Sequence, residues 1–374
     1  MAKALFLYVN AGFGHRKVAE AVYRELALRR EDGLELEIFD ALQKTNFLFQ
    51  SSYSSLYHWM VMRASWLWGF CFSLTGAPFI YPLISPLRTI WNWFQSFELR
   101  RYLQEGKYDH IIFTHFFPAE VCATLKRKGK IKSNLITIVT DVIPHRVWIN
   151  PGTDHFWVMA EESAKILTAR GVHPNQIHIK GIPISTHFLE PVDRAAIRKK
   201  LELKEHRLTV LFSGGSFGMG PTEEVLNSFS ELKDKVQAIV VCGQNKILLH
   251  ALNSKKFSFP VRLFGFVENM HELMSASDLL VAKPGGATTC ESLVKGLPMI
   301  MTSPIPGQES QNAEWLASHR AAFKVTSPSE ITTIVKRMAQ NPESLELVRS
   351  AIQTIAKPNA TKDLADFILK QTRL

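Results

Sequence analysis

The residues best suited to chemistry lie where apolar runs give way to glycine. Leu279-Leu280-Val281-Ala282 is followed by Lys283-Pro284-Gly285-Gly286-Ala287-Thr288-Thr289-Cys290-Glu291. A strand ending in paired glycines and threonines ahead of a helix bares backbone N–H groups at a helix N-terminus, where phosphate oxygens are favoured. Gly285, Gly286, Ala287 and Thr288 are therefore a candidate phosphate cradle. Glu291 falls six residues past Gly285, on the first or second turn of that helix. From there its carboxylate can accept hydrogen bonds from both hydroxyls of a ribose. The stretch reads as a nucleoside-diphosphate site. A turn without a ligand would need the same glycines only for φ > 0, so further residues must separate the two readings.

Alternating strands and helices are needed to position these residues. Residues 4–9 form a candidate buried strand, the loop Asn10-Ala11-Gly12-Phe13-Gly14-His15 follows, residues 17–30 have helical periodicity, and residues 34–39 alternate as a second strand. Residues 110–114 and 135–140 are apolar and β-branched enough for a parallel sheet. A polar, helical passage at about 183–204 separates the halves, and the scheme then restarts. Residues 208–212 lead into Ser213-Gly214-Gly215-Ser216-Phe217-Gly218-Met219-Gly220, residues 237–242 into Gly243, and candidate strands follow at 261–266, 279–282 and 299–302. Glycine loops at the carboxyl ends of strands are where open α/β sheets bind ligands. The expected fold class is α/β, with two Rossmann-like domains whose parallel sheets face each other across a cleft. The boundaries expected are residues 1–185, with an aromatic insertion at about 47–95, and residues 186–355.

Size and composition agree with two domains, since 374 residues exceed what one core usually serves. A content of 46% hydrophobic and 21% charged residues is globular and excludes a disordered chain. Cys71, Cys122, Cys242 and Cys290 stand singly, without metal-ligand spacing, which points to free thiols in a reducing compartment and away from structural zinc. The N-terminus runs straight into a strand pattern, so no signal peptide is expected.

The net charge of +10 calls for an anionic partner. From Lys44 to Lys107 there are six Lys/Arg residues against Glu98 and Glu105, interleaved with Trp59, Trp66, Trp68, Phe70, Phe72, Phe79, Tyr81, Trp91, Trp93 and Phe94. Indoles mixed with cations suit a bilayer interface. Single-stranded nucleic acid is also held by aromatics and cations, but no nucleic-acid module is present and no nucleic-acid partner is expected. No charged residue occurs between Arg63 and Arg88. Pro78, Pro82 and Pro86 with Gly69 and Gly76 would break a spanning helix, so the expectation is a hydrophobic helix or hairpin dipping into one leaflet of an anionic membrane surface. The competing expectation is that these aromatics fill the core of the first domain.

Taken together, Gly12-Phe13-Gly14-His15-Arg16, Ser213-Gly214-Gly215-Ser216 and Lys283-Pro284-Gly285-Gly286 resemble the UDP-sugar glycosyltransferases of the GT-B fold. The nearest likeness is to the monogalactosyldiacylglycerol synthases and processive diacylglycerol glucosyltransferases, and a more distant one is to the N-acetylglucosaminyltransferases of lipid II synthesis. Further matching stretches are Thr140-Asp141-Val142-Ile143-Pro144-His145-Arg146-Val147-Trp148, Gly181-Ile182-Pro183-Ile184, Gly265-Phe266-Val267-Glu268-Asn269-Met270 and Gly307-Gln308-Glu309-Ser310-Gln311-Asn312. They occur in order from Ala4 to about Asp366.

The resemblance implies roles residue by residue. Glu291 binds the ribose hydroxyls, and Gly14, Gly215, Ser216 and the 285–288 loop hold the diphosphate. The backbone at Val267 reads the uracil edge, and Gln308, Glu309 and Asn312 contact sugar hydroxyls. Glu309 and Asn312 are spaced to share one helical face. His15 is the favoured base, because an imidazole can take a proton from an attacking alcohol or brace the leaving phosphates. Asp141, at the end of a strand, is the rival base. Gly12, Phe13, His115 and His145 are implied on the acceptor side, and residues 356–374 as a helix crossing back to the first domain.

The implied reaction is inverting transfer of glucose or galactose from a UDP-sugar to diacylglycerol at the cytoplasmic face of the membrane. No DxD-like motif stands beside a glycine loop, so neither metal nor other cofactor is expected. Phe13 stands where a smaller residue is usual, which leaves the acceptor less defined than the donor. The alternatives are a UDP-N-acetylglucosamine transferase acting on a polyprenyl-linked acceptor, a soluble UDP-sugar epimerase, and a binding protein that has lost catalysis.

Overall fold

The computed structural model describes residues 2–10, 12–29, 33–215 and 218–372. The chain divides into two units, one of Met1–Thr186, Ile305–Gln308 and Lys357–Leu374, the other of His187–Pro304 and Glu309–Ala356.

In the first unit, β1 (Ala2–Tyr8), β2 (Leu34–Asp40), β3 (His110–Phe113), β4 (Asn134–Ile138), β5 (His155–Val158) and β6 (Ile177–Ile179) form one parallel sheet in the order β2-β1-β3-β4-β5-β6. Phe6 lies between Ile38 and Ile112 in register. Both faces of the central strands are covered, which is why they read as continuous apolar runs. The helices are α1 (Phe13–Arg29), α2 (Phe47–Arg63), α3 (Ser65–Gly76), α4 (Tyr81–Gln95), α5 (Phe97–Gly106), α6 (Phe116–Arg127) and α7 (Glu161–Ala169).

The second unit repeats the plan with β7 (Leu208–Ser213), β8 (Val236–Val241), β9 (Val261–Phe264), β10 (Leu279–Ala282), β11 (Met299–Met301) and β12 (Ala322–Lys324), all parallel in the order β12-β11-β10-β7-β8-β9. Its helices are α8 (Arg194–Lys200), α9 (Thr222–Ser228), α10 (Lys246–Asn253), α11 (Met270–Ala276), α12 (Gly286–Val294), α13 (Gln308–Ser318, whose first residue counts with the first unit), α14 (Pro328–Gln340) and α15 (Glu343–Ile355). Its core gathers Val210, Phe212, Phe229, Val236, Val240 and Ile300.

The last helix, α16 (Ala360–Thr372), belongs to the first unit and packs on α1, with Arg29 ion-paired to Asp366. The Thr361 hydroxyl donates to the Ile184 carbonyl at 2.6 Å and accepts from the Ile184 N–H at 3.0 Å.

The structure differs from the sequence expectation in two respects. Helix α1 begins at Phe13, so Phe13, Gly14 and His15 form its first turn instead of closing a loop. Strands β5, β6 and β12 have only three or four residues each, too few to show a period.

Within the aromatic insertion, α3 and α4 meet at a 106° bend, and among the described residues no single helix is long and apolar enough to cross a membrane. The aromatics divide between core and surface. Phe49, Tyr53 and Trp93 pack on the first core, whereas Trp59, Trp66, Phe70, Phe79, Trp91 and Phe94 are exposed. Helix α4 shows the reason for the division. Its Arg88, Thr89 and Asn92 turn inward to the buried carboxylate of Glu120 on α6. The opposite stripe, Leu83, Leu87, Ile90, Trp91 and Phe94, is exposed. The helix is amphipathic, but its polar face is the one that docks.

Candidate functional site

In each sheet the strand order reverses once, and ligands of open α/β sheets bind outside the carboxyl ends of the strands at such a point. In the first sheet the reversal lies between β1 and β3, and in the second between β7 and β10. The glycine loops singled out in the sequence follow β1, β7 and β10.

At the first reversal, His15 on α1 reaches across to the end of β3. Its Nδ1 lies 2.5 Å from the Thr114 carbonyl oxygen and 3.3 Å from Thr140 Oγ1. A carbonyl oxygen only accepts, so Nδ1 carries the proton in the neutral ring and Nε2 keeps the lone pair. The ring is half-buried, edge-on to His115 with centroids 4.9 Å apart, and 6.4 Å from Trp148. Burial lowers its pKa to about 4, against the raising effect of the Thr114 bond. His15 is therefore neutral at pH 7, with one tautomer selected.

The other first-unit candidates have definite partners. His115 caps α6, its Nδ1 accepting from the Phe117 N–H at 3.1 Å. Burial and the neighbouring His15 push its pKa well down. The Nδ1 of His145 accepts from the Val147 N–H at 3.3 Å, while its Nε2 lies 3.0 Å from the Phe72 carbonyl on α3. His145 thus ties the loop after β4 to the aromatic insertion. Asp141 is buried, and Trp148 Nε1 donates to its Oδ2 at 3.2 Å while Gln308 Nε2 donates to its Oδ1 at 2.8 Å. Phe13 is half-buried at the start of α1, Gly14 is exposed, and Gly12 has open space where a Cβ would stand.

At the second reversal, Gly285 caps α12 with extended backbone, and Gly286, Ala287 and Thr288 make its first turn. The N–H groups of that turn have no partner within the helix. Glu291 follows on the second turn and is buried. Glu309 and Asn312 both turn to this loop. Lys283 Nζ lies 3.4 Å from Glu309 Oε2, and Asn312 Nδ2 donates to the Pro284 carbonyl at 3.0 Å.

In the loop after β7, Gly215 has φ +67, and Gly218 has φ +58 with a hypothetical Cβ only 2.4 Å from the Cys242 carbonyl. Glycine alone fits at Gly218. Ser216 lies outside the described residues. Val267 is half-buried in the loop between β9 and α11.

The structure brings together residues that the motifs alone did not connect. Thr114 and Thr140 orient His15, Trp148 and Gln308 engage Asp141, and Lys283 joins Glu309. Thr114 is the first residue past β3, the strand paired with β1. A strand-end position adjacent to a glycine loop is the one signal that could have pointed to it.

Comparison with known proteins agrees with this geometry. The family model described as monogalactosyldiacylglycerol (MGDG) synthase matches residues 15–184, and that of the glycosyltransferase family 28 C-terminal domain matches residues 209–366. A processive diacylglycerol beta-glucosyltransferase of Bacillus pumilus is 27% identical over 383 residues, covering 100% of this chain and 96% of its own. A probable chloroplastic monogalactosyldiacylglycerol synthase of Nicotiana tabacum is 29% identical, covering 96% of this chain and 68% of its own. Among solved structures, MurG of Acinetobacter baumannii superposes with a TM-score of 0.59 at 16% identity, covering 99% of this chain and 100% of that one. This last likeness is one of fold, and the fold is GT-B.

Proposed function

We propose that this chain, a UDP-sugar hexosyltransferase with a monogalactosyldiacylglycerol synthase domain followed by a glycosyltransferase family 28 C-terminal domain, moves hexose from a UDP-sugar to the free hydroxyl of diacylglycerol at a membrane surface. The observation that carries the chemistry is the His15 tautomer. With Nδ1–H committed to the Thr114 carbonyl, Nε2 is the atom that can receive a proton.

In the proposed step the acceptor oxygen attacks the anomeric carbon, its proton passes to Nε2 of His15, and the bond to the UDP oxygen breaks with inversion. Negative charge grows on the departing diphosphate. The N–H groups of the first turn of α12 favour that charge without rearrangement, and no metal is invoked. Glu291 is assigned to the ribose and the Val267 backbone to the uracil. Glu309 and Asn312 brace the 283–286 loop that carries the diphosphate. Asp141, holding Trp148 and Gln308, acts as a positioning residue, and His15 is preferred as base.

The acceptor leaves a bilayer at a cost of about 0.8 kcal/mol per CH₂, so the enzyme must come to it. The exposed stripe of α4, with Trp66, Phe70 and Phe79, supports contact with a lipid surface, and the basic flanks suit anionic lipid.

The reading is tested by UDP release from UDP-glucose and from UDP-galactose, with and without vesicles containing diacylglycerol. Release that requires diacylglycerol and one of the two donors is expected. Release indifferent to lipid, or conversion of UDP-N-acetylglucosamine in solution, would overturn it in favour of an epimerase.

A further inference from the structure

Two imidazoles stand at the first strand-order reversal, and their hydrogen bonds give them opposite tautomers. His15 donates from Nδ1 to the Thr114 carbonyl at 2.5 Å, so its Nε2 holds a lone pair. His115 accepts at Nδ1 from the Phe117 N–H at 3.1 Å, so in the neutral ring its proton sits on Nε2. Both rings are neutral at pH 7, since burial lowers both pKa values. One ring therefore offers an acceptor and the other a donor.

The donor of His115 has no protein partner. His115 is 3% exposed, and among the described residues nothing accepts from its Nε2–H. Its ring neighbours are Phe116, His15 and Tyr53, with centroids at 4.1, 4.9 and 6.1 Å. A buried donor without an acceptor is costly, and native structures rarely keep one without a reason. The cap on α6 explains Nδ1 but not Nε2–H. Capping needs only an acceptor, which the side chain of Ser, Asp or Asn supplies with less bulk.

The two rings are placed to share one oxygen. Two hydrogen bonds of about 2.8 Å that meet at one atom span up to about 5.6 Å, and the edge-on rings have centroids 4.9 Å apart. An alcohol oxygen has one proton and two lone pairs. Its proton points to His15 Nε2, one lone pair accepts from His115 Nε2–H, and the other faces the anomeric carbon. As the new oxygen–carbon bond forms from that other pair, the proton passes to His15 and the UDP oxygen leaves with the electrons of its bond. The His115 proton stays in place. A primary amine nitrogen has a single lone pair. Once that pair attacks carbon, nothing remains to accept from His115, whose donor then faces an N–H.

We infer that His115 is a specificity-determining residue: its Nε2–H holds one lone pair of the acceptor oxygen, so the site takes an alcohol and rejects an amine. A site built to pair a buried polar group turns away the analogue that leaves this group unpaired. The inference deepens the transferase reading and rests on it.

The test compares diacylglycerol with its 3-amino analogue, each in phosphatidylcholine vesicles, as acceptors for the UDP-sugar that the wild type uses. All rates are taken at one pH, so protonation of the amine cancels in the ratio between variants. His115→Asn keeps a cap, because the asparagine oxygen takes the place of Nδ1, and its side chain is too short to restore Nε2–H. In this variant kcat/KM with the alcohol is expected to fall about tenfold or more, and the alcohol-to-amine ratio to fall with it, while Tm holds. His115→Gln has the reverse chemistry. Its amide returns an N–H donor but loses the cap, so Tm should fall while the ratio stays nearer to that of the wild type. Equal losses with both acceptors in His115→Asn, or a ratio that follows Tm across the two variants, would overturn the inference, since the cap would then account for His115. Unaltered transfer to the alcohol in His115→Asn would overturn this inference alone, whereas a wild type that transfers to neither acceptor would overturn the transferase reading itself.

Discussion

The Gln308 side-chain amide donates to the Asp141 carboxylate at 2.8 Å, although 167 residues separate them in sequence. Trp148 Nε1 occupies the other oxygen at 3.2 Å. A carboxylate engaged on both oxygens orients its neighbours better than it accepts a proton from an alcohol. Asp141→Asn should therefore keep the fold and lower kcat by a modest factor, about tenfold, while His15→Ala lowers it by about 10²–10⁴. Single-turnover rates of the two variants decide between them. If Asp141→Asn has the larger defect, the base has been assigned to the wrong residue.

With His15 as the proposed base, its pKa is expected to set the acid limb of the rate profile. Because burial lowers that pKa to about 4, the ring remains neutral far below the ordinary histidine value near 6.5. A profile of kcat/KM against pH should stay flat down to about pH 5. An acid limb near pH 6.5 would mean that His15 is solvated as in a free peptide.

The same burial governs stability in acid. His15, His145 and His155 are each lowered to about 4, chiefly by burial. Between pH 6.5 and 4 the unfolded chain binds protons that the folded chain refuses, so stability is complete above pH 6.5 and declines as pH falls. Tm measured across this range should fall, and part of the fall should disappear in His155→Gln, a position remote from the proposed chemistry.

Glycines of the β7 loop should respond unequally to substitution. Gly215→Ala meets open space and pays only for its φ of +67, about 1–2 kcal/mol. Gly218→Ala adds a backbone clash at 2.4 Å and should destabilise more, or fail to fold. Denaturant midpoints of the two variants test the order. Asn312→Ala should cost about 1–3 kcal/mol, because it removes the donor to the buried Pro284 carbonyl.

The exposed stripe of α4 should matter for lipid and not for folding. Leu87→Gln and Trp91→Gln remove side chains that are 68% and 59% exposed. Burial of such a side chain contributes about 1.5–3 kcal/mol, so vesicle affinity should drop about tenfold or more per substitution while Tm stays put. A loss of Tm with unchanged vesicle binding would place these residues in a core.

Much of this protein is local and could be read from the chain alone. Apolar runs ending in glycine marked β1, β7 and β10, because a buried parallel strand must be apolar throughout and a backbone that approaches a ligand must lack a side chain. Their order also carried the family resemblance. The density of aromatics and the missing charges at 64–87 marked an insertion apart from the sheet, but not which of its aromatics are exposed and which pack on the first core.

Tertiary structure decided the rest, because it depends on groups far apart in sequence. No spacing links His15 to Thr114, 99 residues on; pairing of β1 with β3 brings them together and so selects the tautomer. Nor does spacing show that Asp141 is engaged by Trp148 and Gln308, or that Glu309 and Asn312 hold a loop instead of standing open. For α4 the sequence shows an amphipathic helix, and the usual rule turns its apolar side inward. The buried carboxylate of Glu120 on α6 reverses that choice, since an unpaired charge in a core costs more than an exposed apolar stripe.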